Sequence, residues 1–183
     1  MPIGSYVAVP LLAQALLKRS PASVLDLGMG FGGCGVIVRQ WLDFGIRPWK
    51  THLVGVEAWA DYRNPVWDLY DVIYVQPIEE FLPACTESFN CILLGDVLEH
   101  FEKDAGRRLL DAIKSKVAPA GCFLVTTPAR FFPQDAVYGN ELERHRSLWS
   151  ESDLKKLGFN VELTGQPDFY CGECLVAQWF KPH

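Results

Sequence analysis

Short apolar runs alternate along the chain with segments of helical periodicity. The apolar runs predict buried strands, which we place at 23–28, 52–58, 71–75, 89–96 and 121–128. Between these runs, helical patterns predict helices at about 32–45, 78–82 and 102–117. Further helices are predicted before the first strand, at about 6–19, and after the fifth, from 150 onward. Strands that alternate with helices form a parallel sheet with both faces covered. Such a sheet binds ligands beyond the carboxyl ends of its strands.

The end of the chain breaks this alternation. The segments 159–165 and 174–181 both have strand character, and no helical pattern separates them. They predict an antiparallel hairpin at one edge of the sheet. The sequence therefore predicts an α/β fold with a doubly wound, mostly parallel, seven-stranded sheet, helices on both faces and a C-terminal antiparallel hairpin, as one domain over residues 1–183.

Composition is that of a globular domain. Apolar residues make up 49% of the 183 residues and charged residues 21%, and the net charge of −5 does not indicate a polyanionic partner. The apolar stretch at 6–17 is too short to cross a bilayer, and its basic residues follow it rather than precede it, so it does not resemble a secretion signal. We expect a cytoplasmic protein with no membrane contact.

The six cysteines fit that compartment as reduced residues. Cys34, Cys85, Cys91 and Cys122 lie within apolar or helical patterns, where a small hydrophobic residue is expected. Cys171 and Cys174 form a C-x-x-C pair, which zinc sites and redox motifs also contain. No second such pair or histidine pair accompanies it, so we interpret both as ordinary strand and turn cysteines.

The segment VLDLGMGFGGCG, at 24–35, forms the first strand-to-helix turn. Glycines there let the backbone turn sharply and approach a ligand closely. Gly28, Gly30 and Gly33 match the G-x-G-x-x-G pattern of dinucleotide-binding proteins, but Asp26 precedes the first glycine by two residues. A carboxylate at that position suits a ligand amine better than it suits a pyrophosphate.

Two further features accompany this turn: Glu57 ends the second predicted strand, and ILLGDVLEHF ends the fourth. Together they resemble the class I S-adenosylmethionine-dependent methyltransferases. The resemblance is to the small-molecule group in particular, which has D-V-L-E-H after its fourth strand. The similarity covers about residues 22–163. It implies that S-adenosylmethionine is the cofactor. Asp26 and the Gly28–Gly30 backbone would hold its methionine portion, and Glu57 would bind both ribose hydroxyls.

The resemblance is weaker at the adenine end of the cofactor. Family members usually carry an acidic residue after the third strand, where this chain has Gln76 and Pro77. Adenine would then be bound by the Ile78 amide, Gln76 or Glu79. The complete set of cofactor-binding residues implied in this way is Asp26, Gly28, Met29, Gly30, Glu57, Ala58, Ile78, Glu79 and Asp96.

Three residues are candidates for catalysis. Asp96 begins the segment expected at the reacting end of the pocket, and His100 and His145 are candidate general bases because imidazole titrates near neutral pH. His100 has an alternative role in capping and packing its helix. A base is needed only if the acceptor must lose a proton.

The segment 128–150 is unusually long for a connection without a periodic pattern, which is typical of a substrate lid. Its sequence NELERHRSLW resembles the acceptor-side loop of methyltransferases encoded with sugar and polysaccharide pathways. Its aromatic and polar residues suit the binding of a small acceptor; they are Arg130, Phe131, Phe132, Tyr138, Asn140, Glu141, Glu143, Arg144, His145, Arg146 and Trp149.

A metal-assisted reaction is one alternative. Glu99, His100 and His145, with Asp96 as a fourth ligand, resemble the metal-binding set of methyltransferases that modify the 2′-oxygen at RNA ends and of some quinone-pathway O-methyltransferases. D-V-L-E-H also occurs in members that use no metal, so our interpretation of the site contains none.

The main prediction is a methyltransferase that acts on an oxygen or nitrogen of a small or medium-sized acceptor, such as a sugar or a phenol. A nicotinamide-dependent oxidoreductase and a non-catalytic cofactor-binding subunit are the alternatives from other classes. Nucleic acid is not the expected partner, and a homodimer stays open as an alternative to a monomer.

Overall fold

A computed structural model describes residues 4–166 and 172–182. In this part of the chain seven strands form one sheet: β1 (Ser23–Leu27), β2 (His52–Glu57), β3 (Val72–Val75), β4 (Phe89–Gly95), β5 (Val117–Pro128), β6 (Asn160–Gly165) and β7 (Glu173–Phe180). Their order across the sheet is β3-β2-β1-β4-β5-β7-β6. The first five strands are parallel, and β7 runs antiparallel to both β5 and β6. The predicted fold class is therefore confirmed.

Five α-helices flank the sheet in the described ranges: α1 (Val9–Arg19), α2 (Gly33–Ile37), α3 (Ile78–Ala84), α4 (Lys103–Ser115) and α5 (Glu151–Lys156). Apolar residues of α1 and α2 pack on one face of the sheet, and those of α3, α4 and α5 pack on the other. None of these helices combines the length and the apolar character needed to cross a bilayer.

Two predicted helix bounds are wrong. The single helix predicted at 32–45 is a short α-helix that continues as a π-helical turn, Val38–Leu42. The helix predicted to reach residue 117 ends at Ser115, because Val117 is fully buried and pairs with Phe89 of β4 as the first residue of β5. In both places tertiary contacts override the local periodicity.

The cysteines lie much as the sequence predicts. Cys91, Cys122 and Cys174 are buried in the sheet, and Cys85 is half-buried. Cys34 is also half-buried, but it lies at the wall of a cavity rather than in the core. Cys171 lies outside the described residues, so the interpretation of the C-x-x-C pair stays a prediction.

The strand order reverses direction between β1 and β4. The chain passes from β1 to β2 on one side and later returns to place β4 on the other side of β1. Asp26 of β1 is aligned with Gly55 of β2 and with Leu93 of β4. The carboxyl ends of these three strands therefore open at one edge of the sheet, which is where doubly wound folds bind ligands.

A buried arginine holds the segment between β2 and β3 against α2. The Arg39 guanidinium donates to Asp43 Oδ2 and Thr51 O, both at 2.7 Å, to Leu69 O at 2.8 Å and to Asp71 Oδ2 at 2.9 Å. Burial strengthens these charge-assisted bonds, and it makes loss of either partner costly.

Arg39→Ala should therefore lower the free energy of unfolding by about 3–5 kcal/mol, because it leaves the buried Asp43 carboxylate unpaired. Arg107→Ala is the matched control, since its pair with Asp104 is exposed and should change stability by less than about 0.5 kcal/mol. Urea unfolding followed by circular dichroism measures both. Similar stability losses in the two variants would contradict the proposed role of Arg39.

Candidate active site

The glycine-rich turn after β1 approaches the segment after β4 so closely that only glycine fits at residue 28. A Cβ on Gly28, whose φ is +72°, would lie 2.4 Å from Val97 Cγ2. The Gly28 and Met29 amides donate to Val56 O at 2.9 Å and 3.1 Å, which fixes the turn over the end of β2. Gly30 also has a positive φ, +52°. The turn thus presents backbone rather than side chains to the space above the sheet.

Glu57 ends β2 and holds this turn in place. Its Oε2 accepts from the Gly30 amide at 2.9 Å, and its Oε1 accepts from the Trp59 amide at 2.8 Å. Only 7% of the residue is exposed, and burial raises the pKa of its carboxyl group. Each oxygen keeps a second lone pair, so the carboxylate can still accept hydrogen bonds from a diol.

Asp26 is buried beneath the turn, with 1% of its surface exposed. Its Oδ2 accepts a hydrogen bond from the Tyr70 hydroxyl at 2.5 Å. Burial raises the pKa of Asp26 to about 7, although the Tyr70 bond lowers it; the nearby Glu57 raises it further. Within residues 4–166 and 172–182, no cationic side chain forms an ion pair with this carboxyl group.

Asp96 follows β4 with a φ of +51°, a conformation that aspartate tolerates better than most residues. Its amide donates to Thr126 O at 3.0 Å, and the Thr126 hydroxyl donates to Asp96 Oδ1 at 3.1 Å. The Ser5 amide donates to Oδ2, so the start of the chain covers this carboxylate. Burial raises the pKa of Asp96 as well.

These groups surround a cavity of about 920 Å³ at the carboxyl edge of the sheet. Its wall contains His100 and every residue that the resemblance implied for the cofactor: Asp26, Gly28, Met29, Gly30, Glu57, Ala58, Ile78, Glu79 and Asp96. Gln76 and His145 stand outside this set. The backbone amide of Gln76 donates to the backbone oxygen of Glu57 at 3.0 Å.

Part of the wall was missed by the sequence analysis. The start of the chain contributes Gly4, Ser5, Val9 and Leu12, and the region of α2 contributes apolar side chains that include Trp41. Val9 and Leu12 follow the ordinary pattern of a helix packed on a sheet. Nothing in that pattern separates a residue facing a cavity from one facing the core.

The 128–150 segment divides into an outward part and a packed part. The aromatic side chains of Phe131, Phe132 and Tyr138 are exposed rather than gathered over the cavity. Asn140, Leu142, Glu143 and Arg146 line the cavity. These aromatic residues therefore do not form the cavity wall in this structure, and the role of the segment as a substrate lid stays a prediction.

Trp149 anchors that second half in the core. It is fully buried, and a Cβ on Gly106 of α4 would lie 2.6 Å from its ring. The Arg146 and Ser147 amides donate to Glu99 O at 2.8 Å and 3.1 Å. Trp149, which was expected to face a substrate, is therefore a packing residue.

A buried network places Glu143 in the cavity wall. The Tyr62 hydroxyl donates to Glu143 Oε1 at 2.9 Å, and the Asn140 amide group donates to the Tyr62 oxygen at 3.1 Å. Gln134 donates to Glu143 O at 2.6 Å. Glu143 is thus a fixed polar group of the cavity and not a mobile loop residue.

Glu99, His100 and His145 form a compact cluster beside the cavity. One potential ligand atom from each lies within 4.8 Å of the others. His100 Nδ1 lies 3.3 Å from Arg144 O, and His145 Nδ1 lies 2.6 Å from Phe132 O. A carbonyl only accepts, so each Nδ1 carries a proton and each Nε2 keeps a free lone pair.

Burial sets the protonation states in this cluster. It lowers the pKa of His100 to about 4 and also lowers that of His145, while it raises the pKa of Glu99 well above its usual range. The Thr127 hydroxyl donates to Glu99 Oε2 at 3.0 Å. Asp96, the suggested fourth ligand, is not part of this group.

The comparisons with known proteins agree with this geometry. A sequence profile of the methyltransferase domain family matches residues 5–164, so the chain belongs to that family. This confirms the predicted class, an S-adenosylmethionine-dependent methyltransferase, over the nicotinamide alternative. A search of curated proteins by sequence found no significant match.

Several solved structures share the fold. An O-methyltransferase family protein from Burkholderia thailandensis is 14% identical with a TM-score of 0.65; the match covers 96% of this chain but only 56% of that one. The 1,6-didemethyltoxoflavin N1-methyltransferase from the same organism, solved with 1,6-didemethyltoxoflavin and S-adenosylhomocysteine, is 22% identical with a TM-score of 0.67, over 96% and 79% of the two chains.

The N-methyltransferase NodS from Bradyrhizobium japonicum, in complex with S-adenosylhomocysteine, is 14% identical with a TM-score of 0.64. That match covers 96% of this chain and 84% of NodS. The structural neighbours thus include both O- and N-methyltransferases.

The packing of the 128–150 segment can be tested by truncation. Trp149→Ala should lower the free energy of unfolding by about 3–5 kcal/mol, because it empties a fully buried site. Phe132→Ala removes an exposed ring of the same segment and should cost less than about 0.5 kcal/mol. Thermal and urea unfolding measure both. A small effect of Trp149→Ala would mean that the segment is a detachable lid.

Proposed function

We propose that the cavity binds S-adenosylmethionine and that the enzyme transfers its methyl group to an oxygen or nitrogen of a small acceptor. The observation that carries this proposal is the convergence of three largely desolvated carboxyl groups, Asp26, Glu57 and Asp96, in one cavity. Burial disfavours the ionised form of each group, so a cationic ligand gains by entering. The sulfonium and ammonium groups of this cofactor provide that charge.

The polar groups of the cavity suit the successive parts of the cofactor. Asp26 would bind the ammonium group, with the Gly28, Met29 and Gly30 backbone along the methionine portion. Glu57 would accept both ribose hydroxyls, with Ala58 beside it. A dinucleotide would instead bring its anionic pyrophosphate to the turn, next to these carboxylates.

The adenine end is assigned to the start of α3. Ile78 and Glu79 line the cavity, and Ile78 is the first residue of that helix, where amides have no intrahelical acceptor. The Ile78 amide would face an adenine ring nitrogen. We assign no contact to Gln76, because it stands outside the cavity wall.

Catalysis in this site is mainly a matter of alignment. The bound cofactor supplies a methyl group on a positively charged sulfur, which an acceptor displaces in line. Fixing two reactants in such geometry is worth roughly 7–11 kcal/mol of the barrier. Asp96, at the end of β4, would orient the acceptor, and the covering Ser5 and the anchored 140–149 segment would keep water out.

We assign the general base, where the acceptor needs one, to His100 rather than His145. His100 lines the cavity, whereas the His145 ring packs beside it with the centroids 5.0 Å apart. His100 donates from Nδ1 to a carbonyl, so its Nε2 carries the lone pair that would take a proton from the acceptor. Because burial lowers the pKa of His100 to about 4, it would act as a weak base and suits an acceptor whose own proton is acidic. His145 would support the position of His100.

The walls near Asp96 favour a flat or partly apolar acceptor. Val9, Leu12 and Trp41 provide apolar surface, and Glu143 and Arg146 provide opposite charges at the other side. Phenols and heteroaromatic rings fit this combination better than a sugar does. One structural neighbour was solved with 1,6-didemethyltoxoflavin, which is consistent with such an acceptor.

Cofactor binding can be tested at the ribose position. Glu57→Gln should weaken S-adenosylhomocysteine binding by about 2 kcal/mol, or about 30-fold, because a charged acceptor of two hydrogen bonds is lost. Glu162→Gln, on the exposed side of β6, should leave the affinity unchanged. Isothermal titration calorimetry measures the affinity, and thermal unfolding checks that the variants are folded. Normal binding by Glu57→Gln would place the ribose elsewhere.

A metal-assisted reaction is a second candidate, favoured by the cluster beside the cavity. Two imidazoles oriented through backbone carbonyls, each with a free Nε2, and one buried carboxyl group are a donor set that divalent transition metals accept. A metal held by Glu99, His100 and His145 would act as a Lewis acid toward an acceptor with two adjacent oxygens, as in the ribose at an RNA end.

Metal analysis of protein purified without a histidine tag tests this candidate. If it is correct, the protein contains about one equivalent of a divalent metal, and the Glu99→Gln variant loses it. Chelation should then abolish methyl transfer while leaving S-adenosylhomocysteine binding intact. Full activity in excess chelator would refute the metal-assisted candidate and leave the metal-free reaction.

A further inference from the structure

Tyr70 occupies a slot that two glycines create. Its ring lies against Gly35 of α2 and Gly55 of β2, where an added Cβ would come within 2.5 Å and 2.8 Å of ring atoms. Gly55 is also the residue aligned with Asp26 in the adjacent strand. Any side chain at either glycine would displace the ring. The slot therefore positions the Tyr70 hydroxyl next to the carboxyl group of Asp26.

The hydrogen-bond directions at this hydroxyl are fixed. The Gly35 amide can only donate, and it donates to the Tyr70 oxygen at 3.1 Å. The hydroxyl proton is consequently directed to Asp26 Oδ2, at 2.5 Å. This is the short distance typical of a hydrogen bond to an ionised carboxylate. Asp26 itself lines the cavity, so the carboxyl group that Tyr70 holds also faces the space where a ligand would bind.

The backbone around Tyr70 is held on both sides. Arg39 donates to Leu69 O at 2.8 Å and to Asp71 Oδ2 at 2.9 Å. The Tyr70 amide itself donates to Trp67 O at 3.0 Å. The hydroxyl therefore cannot follow Asp26 if the carboxylate moves, and instead it defines where the carboxylate lies.

Few other groups face Asp26. Cys34 reaches it from α2 with a hydrogen bond from the thiol, and Glu57 faces it from β2 as a second negative charge. Asp96, at the end of β4, interacts with the same Cys34 thiol. None of these groups is basic. Within this set the Tyr70 hydroxyl gives the largest stabilisation of the charged form of Asp26.

We propose that Tyr70 is a positioning residue for cofactor binding: its hydroxyl keeps Asp26 ionised and oriented so that Oδ1 receives the ammonium group of the methionine end. This inference rests on the proposed function, because it requires the cofactor to bind with its ammonium group at Asp26. Tyr70 itself does not line the cavity. It acts on the ligand through Asp26.

Ligand binding at Asp26 should depend on pH. With Tyr70 present the pKa of Asp26 is about 7, so the affinity for an ammonium ligand should fall as the pH drops through that value. Without the hydroxyl the pKa of Asp26 rises further. The decline should then begin at a higher pH, and the loss relative to the wild type should be small at about pH 8.5 and grow as the pH falls toward about 6.

The test compares two ligands in calorimetric titrations between about pH 6 and about pH 8.5. S-adenosylhomocysteine carries the ammonium group, and 5′-methylthioadenosine lacks the amino-acid portion. Tyr70→Phe should weaken S-adenosylhomocysteine binding about tenfold near pH 7 and shift its pH midpoint upward. Binding of 5′-methylthioadenosine should change by less than about twofold at any pH. Tyr74→Phe removes a hydroxyl from the half-exposed ring on β3 and should change neither ligand.

The results distinguish failure of the role proposed for Tyr70 from failure of the proposed function. Equal weakening of both ligands in Tyr70→Phe would show a general packing role and overturn the inference. So would an unchanged pH profile for S-adenosylhomocysteine. If the wild-type protein bound neither ligand, the proposed function itself would be wrong.

A second measurement uses the wild-type protein and so does not depend on the folding of a variant. In the wild-type protein the Tyr70 hydroxyl proton should give a downfield proton NMR signal that is protected from exchange, because its bond to Asp26 is short and buried. That signal should move when S-adenosylhomocysteine binds. A signal that is indifferent to this ligand would overturn the inference as well.

Discussion

The structure depends on the burial of carboxyl groups at one edge of a parallel sheet. Asp26 lies near the end of β1, Glu57 ends β2 and Asp96 follows β4, and the strand order brings them to one cavity. Taking several carboxylates out of water is unfavourable without opposite charge or hydrogen bonds. Backbone amides, Thr126 and Tyr70 supply the hydrogen bonds. A cationic ligand would add opposite charge beside these groups, which links the stability of this edge to its function.

Close packing between glycines and aromatic rings fixes the rest of the site. Tyr70 fits against Gly35 and Gly55, and Trp149 fits against Gly106. The first contact sets the position of Asp26 beneath the glycine-rich turn. The second anchors the segment that walls the cavity from above. In both cases an aromatic ring from an irregular segment packs against a glycine of a helix or strand, where a side chain would leave it no room.

The Arg39 network connects these features to the fold. It joins the π-helical turn after α2 to the segment that carries Tyr70, through Leu69 and Asp71. A change at Arg39, which does not itself line the cavity, can therefore alter the position of Asp26 by moving Tyr70. The cofactor side of the cavity is thus held by hydrogen bonds between buried groups. The acceptor side, formed by the start of the chain and the 140–149 segment, is built from loop and helix contacts instead.

Much of the cofactor site was predictable, because strand ends in a doubly wound sheet converge by topology. Asp26, Glu57 and Asp96 each stand at a point where an apolar run stops, and that position is visible in the sequence. The role of Tyr70 was not visible. It lies in an irregular segment, and its contact with Asp26 joins residues 44 positions apart. The same holds for Ser5, which reaches Asp96 from the start of the chain.

The alternation of strands and helices, the glycine-rich turn and the acidic residues at the cofactor edge can be read from the sequence, since they follow from local periodicity and from backbone sterics. The loop residues that face inward are known only from the folded chain. Phe131 and Phe132 look like substrate contacts in the sequence, yet the burial of Trp149 directs this segment so that Asn140 and Glu143 form the wall. Side-chain direction in a long loop is set by its anchors in the core, and those anchors are contacts distant in sequence.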